Sequence, residues 1–87
     1  MSIEVSGPPP DMAITNAIRQ AILAEMPESD VEVTGGGGHF SIRVNSSLFE
    51  GKGLVDQQRM VYRAITTLMA GDEAPVHAID QLICETP

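Results

Sequence analysis

Two histidines, one cysteine and a pair of serines are the residues whose types could carry chemistry in this chain: His39, His77, Cys84, Ser46 and Ser47. His39 stands directly behind four glycines in TGGGGHFSI, residues 34–42, a stretch open to three readings: a phosphate cradle, a metal site or a turn. A phosphate-binding glycine loop runs from a strand into a helix and brings a Lys-Ser/Thr pair or a helix N-terminus to the anion. Here Phe40, Ile42 and Val44 alternate with His39, Ser41 and Arg43 as in a half-buried strand, so the glycines lead into a strand and the cradle fails. Residues 35–38 read as a mobile hairpin connection in which glycine tolerates positive φ. The same period of two puts His39 on the polar face, opposite Phe40 and Ile42, a position open both to a plain surface histidine and to a ligand.

The other groups say less. Ser46 and Ser47 with the two histidines are the right types for hydrolysis, but the spacing contains no nucleophile elbow and no third group to orient a base, so an enzyme is not expected. Asn45-Ser46-Ser47 is formally a glycosylation sequon, yet it reads as a strand end and turn. Cys84 is the only cysteine, which excludes an intramolecular disulfide and a Cys-rich zinc module, fits a reducing compartment and reads as a small buried hydrophobe. Lys52, Arg59 and Arg63 are the only electrostatic argument for nucleic acid, and a solvated helix face accounts for them equally well. With twelve acids against five bases the net charge is −7, a field that repels phosphate backbones.

The elements that must position these residues follow from periodicity and punctuation. Residues 1–10, MSIEVSGPPP, lack the positive start and apolar run of a signal peptide and read as a loose, proline-stiffened tail, with Asp11 as N-cap of a first helix. Ile14, Ala17, Ile18, Ala21, Ile22 and Ala24 or Met26 form its apolar stripe, and Pro27 closes it. Val31 and Val33 mark a strand, followed by the glycines and the strand of Phe40, Ile42 and Val44. After the LFEGKG turn, Leu54, Val61, Ala64, Ile65 and Leu68 form a second stripe, flanked by Met60 and Met69 and ended at Gly71. The last element, VHAIDQLIC at residues 76–84, reads as a strand with mixed faces, Val76, Ala78, Leu82 and Cys84 against His77, Ile79 and Ile83, and so with neighbours on more than one side. The fold class is α+β: one domain over residues 11–87, two layers, a three-stranded mixed sheet covered on one face by two helices. The long helix lets the last strand pair parallel to a hairpin strand. No stretch is apolar enough to span a membrane, and a cytosolic protein is expected.

HF at 39–40, SLFEGKG at 47–53, QQRMVYRAI at 57–65, VHAI at 76–79 and TP at 86–87 together resemble the BolA family in its BolA/YrbA-like bacterial form, over about residues 12–87. The resemblance implies an αββ(turn)αβ fold similar to the type II KH domain. It also implies a partner, a monothiol glutaredoxin with a Cys-Gly-Phe-Ser motif, and a bridging 2Fe-2S cluster to which that partner brings its cysteine and a glutathione thiolate. The chain alone is then a monomer, and a heterodimer with its partner. Carried over by motif, the iron ligand is His77, and the variable hairpin ligand of the family is absent from residues 35–38, which leaves His39 as its nearest substitute or leaves the cluster without a strong second ligand. Two departures stand out: members usually continue beyond TP with an acidic residue and a tryptophan, and Gln57-Gln58 replaces a more basic stretch. The expected function is a non-catalytic adaptor in iron-sulfur cluster trafficking or iron and redox regulation, with links to stress response. The alternative is a KH-like nucleic-acid-binding transcriptional regulator using Lys52, Arg59 and Arg63, although the KH G-x-x-G clamp is one residue short at Gly51-Lys52-Gly53.

Overall fold

The computed structural model describes residues 10–87; the reading of residues 1–9 as a loose tail lies outside the described residues. In chain order the elements are α1 (Pro10–Glu25), β1 (Asp30–Gly36), β2 (His39–Asn45), a 3-10 turn (Ser47–Phe49), α2 (Leu54–Met69) and β3 (Ala78–Glu85). The helix starts two residues earlier than an N-cap at Asp11 would give. Pro10 belongs to its first turn, where a fixed φ and a missing N–H cost nothing, and Asp11 is therefore a first-turn residue rather than the N-cap. Its carboxylate Oδ1 instead accepts the N–H of Gly37 at 3.1 Å.

β2 is the central strand, antiparallel to β1 and parallel to β3. Val31 faces Val44 and Val33 faces Ile42, so the inner face of the hairpin is aliphatic, as the alternation requires. Against that face pack Ile18, Ile22 and Met26 of the first helical segment, Val61 and Ile65 of α2, and Phe49 from the 3-10 turn, all buried with Phe40, Ile42 and Val44. Met26, not Ala24, completes the α1 stripe, and Ala17 is exposed. Leu54 falls on the expected α2 stripe but is 61% exposed: it lies two turns before Val61, the first fully buried residue of the helix, where no second layer covers it.

The mixed faces of the last strand have a simpler cause than neighbours on two sides. Pairing between β2 and β3 runs His39 to Ala78 and Phe40 to Ile79, then slips so that Ser41 faces Gln81, Ile42 faces Leu82 and Val44 faces Cys84. Asp80 is the extra residue. One inserted residue reverses the phase of a strand whose side chains alternate with period two, so Ile79 before it and Leu82 and Cys84 after it all reach the core. The outer face of the sheet is polar and carries Glu32, Thr34, Ser41, Arg43 and Gln81, with Ile83 among them. Among the described residues, no helix is long and apolar enough to cross a membrane.

Candidate functional site

The glycine run divides in two. Gly35 and Gly36 belong to β1, and only Gly37 and Gly38 make the connection. Their φ values of 62° and 85° are those of a type I′ hairpin turn, whose twist matches that of the flanking strands. The turn is tied on both sides: Asp11 holds the N–H of Gly37, while the carbonyl of Gly38 accepts from the N–H of His77 at 2.8 Å and of Ala78 at 3.0 Å.

Those last two bonds set the site. They seat His77, immediately before β3, beside the turn, and His39 opens the adjacent strand with Ala78 as its partner. The two candidate ligands therefore sit at one end of the sheet, His39 at the start of β2 and His77 just ahead of β3, and both are exposed. The His77 ring lies flat against Gly38: a Cβ on that glycine would stand 2.7 Å from Nδ1 and 2.8 Å from Cγ, inside any real contact distance. Glycine at position 38 serves the turn and the histidine together. His39 faces the polar side as expected, and its Nδ1 lies 3.1 Å from Oδ1 of Asp80, the residue of the register slip. Both side chains of that pair are 58% exposed. Among the described residues, no three histidine, cysteine or acidic side chains come together in a way that would hold a metal ion without outside ligands.

Ser46 and Ser47 follow β2 at the opposite end of the sheet from both histidines, so neither pairs with a histidine. Ser46 is buried and its hydroxyl accepts the N–H of Leu48 at 3.1 Å, capping the 3-10 turn. Cys84 is half-buried against the core beside Val44, and burial pushes its thiol pKa above the ordinary value. Lys52 is exposed in the turn before α2; its carbonyl accepts from the Gln57 side chain at 2.9 Å. Arg59 and Arg63 are both exposed at i,i+4 on α2, and Arg59 stands 3.8 Å from Asp56. Those contacts are what a solvated helix face looks like.

Residues 14–87, which hold every part of this site except Asp11, match the family model for BolA-like protein. The chain belongs to the BolA-like family. An uncharacterized protein in the rpoN-murA intergenic region of Acinetobacter guillouiae is 34% identical over 62 residues, covering 71% of this chain and 72% of its own length. The solved structure of a BolA homologue from Coxiella burnetii is 35% identical with a TM-score of 0.70, covering 84% of this chain and 90% of its own. A similar structure from Babesia bovis is 31% identical with a TM-score of 0.71, covering 84% of each chain. The two-helix, three-stranded mixed sheet is thus the BolA-like architecture.

Within this BolA-like chain, a depression of about 490 Å³ lies away from the histidines, at the end of the sheet where Asp30, Asn45 and Glu85 meet. It contains no histidine, and its Arg43 is occupied by Glu85, through a 2.9 Å hydrogen bond, and by Glu32 at 3.8 Å. The Glu85 hydrogen bond and charge, with Glu32 adding to them, push the guanidinium pKa further up. What the sequence reading missed at the site are Asp80 and the second task of Gly38. The signal for Asp80 was present as the phase break between Ile79 and Leu82 in the last strand.

Proposed function

We propose that this BolA-like protein is a non-catalytic adaptor that binds a monothiol glutaredoxin and shares a bridging 2Fe-2S cluster with it. The observation that carries the reading is the placing of two exposed imidazoles at one sheet end, His39 opening β2 and His77 immediately before the adjacent β3. The donor set fits the group: neutral imidazole binds iron, and two nitrogens without a third ligand suit a cluster completed by another molecule. When bound, a cluster with mixed histidine and thiolate ligation supplies one-electron redox chemistry at a raised potential, together with iron and sulfide that can be passed on. This chain's share is positional. Gly38 lets the His77 ring lie against the turn, and its carbonyl fixes the backbone that carries that ring. His77 is the principal ligand and His39 the second. We place the adaptor in the cytosol, in cluster trafficking or iron and redox regulation, because its single cysteine, which leaves no intramolecular disulfide, suits a reducing compartment.

The test is a titration of the protein into a cluster-loaded monothiol glutaredoxin, followed by visible absorption and circular dichroism. A new spectrum completed at equimolar ratio, lost in His77→Ala and altered in His39→Ala, is the expected outcome. A spectrum unchanged by the wild-type chain overturns the reading.

A further inference from the structure

The His39–Asp80 contact stands apart from the rest of the outer sheet face. Asp80 is the one residue of β3 with no partner in the ladder, and the slip that leaves it over brings its carboxylate to 3.1 Å from His39 Nδ1, across 41 residues of chain. A carboxylate has only acceptor sites, so a neutral imidazole in this contact must carry its proton on Nδ1. The lone pair is then on Nε2, the nitrogen turned away from Asp80. Which ring nitrogen of a histidine is free to bind is set by the hydrogen bond made by the other, and carboxylates placed this way orient metal-bound imidazoles.

We propose that Asp80 is the positioning residue of His39: it fixes the ring in the Nδ1–H tautomer and presents Nε2 as the single nitrogen available to an external ligand. The identity of that ligand, iron of a shared cluster, rests on the function proposed above; the tautomer and orientation rest on the contact alone. The pairing favours one of the two roles open to His39. A plain surface histidine needs no fixed ring, whereas a ligand near the start of a strand, with no loop to swing it, has to be aimed by something in the sheet.

The tautomer is read directly in the isolated, 15N-labelled protein from long-range 1H–15N correlations of the imidazole rings, at a pH of about 8.5, above the ordinary histidine range. His39 is expected in the Nδ1–H form in the wild type and predominantly in the Nε2–H form, the commoner one in water, in Asp80→Ala. His77, which makes no contact with Asp80, serves as the internal control. If the alanine variant disturbs the strand, Asp80→Asn, which can both accept and donate, gives a mixture of the two forms. Equal tautomer populations in the wild type and both variants overturn the proposal, whatever the cluster titration shows. In the glutaredoxin complex, Asp80→Ala is expected to shorten the cluster's lifetime about 10-fold or more, the usual cost of losing such a partner, and to reproduce the spectral change of His39→Ala. A wild-type lifetime in Asp80→Ala beside a shortened one in His39→Ala overturns it as well. Absence of any cluster spectrum with the wild type defeats the adaptor reading and leaves the tautomer experiment to decide the role of Asp80.

Discussion

At the scale of single residues, Gly38 is the position where backbone and site demands coincide. Its φ of 85° disfavours any side chain, and the ring of His77 occupies the space a Cβ would need. Gly51 has a similar φ of 77° with nothing within 4 Å, so it isolates the backbone cost. Gly51→Ala is expected to cost about 1 to 2 kcal/mol in urea unfolding. Gly38→Ala should cost at least about 1 kcal/mol more, from overpacking, and should move the His77 ring resonances; equal losses at the two sites would show that the His77 contact is not close. Cys84 makes a second residue-scale prediction. Burial raises its thiol pKa, so the thiolate is scarce through the ordinary cysteine range, and alkylation by iodoacetamide should lag behind an exposed thiol at neutral pH and accelerate only above that range. The sign extends to stability: the unfolded chain loses this proton first, so the contribution of Cys84 is present below the ordinary thiol pKa and declines as pH rises through it. Glycine's role in the turn was legible from TGGGGH; its contact with His77 was not, because the two residues are far apart in the chain and meet only when β3 docks.

At the scale of elements, periodicity predicted which faces of β1, β2 and the helices turn inward, and it failed where an element's end runs past its cover. Leu54 and Ile65 both fall on the α2 stripe, yet one is 61% exposed and the other fully buried. Ile65→Ala is therefore expected to lose about 2 to 5 kcal/mol, and Leu54→Ala to stay within about 0.5 kcal/mol, measured as shifts in urea midpoint; similar losses would mean that Leu54 is covered. The exposed Leu54 and Val55, at 61% and 59%, are a property of the helix start that no repeat pattern contains. In β3 the pattern itself was informative and its interpretation was not. The mixed faces record a slipped register, which lets a three-stranded sheet with one covered face turn Ile79, Leu82 and Cys84 together against the core, each partly buried.

At the scale of the whole molecule, the net charge of −7 governs encounters with other macromolecules. Lys52, Arg59 and Arg63 do not outweigh it, and Asp56 sits beside Arg59. Binding to a mixed-sequence DNA duplex is expected to be weaker than about 1 μM at physiological salt and to fall steeply as salt rises; fluorescence anisotropy showing submicromolar binding at that salt would restore the nucleic-acid reading. The chain's fold class and its order of elements are legible in the sequence alone, because hydrophobic period and turn residues are local and survive without knowing what packs on what; the two histidines enter as candidate ligands through the family resemblance. Tertiary structure decided the rest: β2 at the centre, the one-residue slip at Asp80, the carboxylate set against His39 and the glycine beneath His77. Each of these joins residues distant in the chain, and each depends on the packing of the shared core, which fixes the strand register and with it the partner of every side chain at the sheet's end.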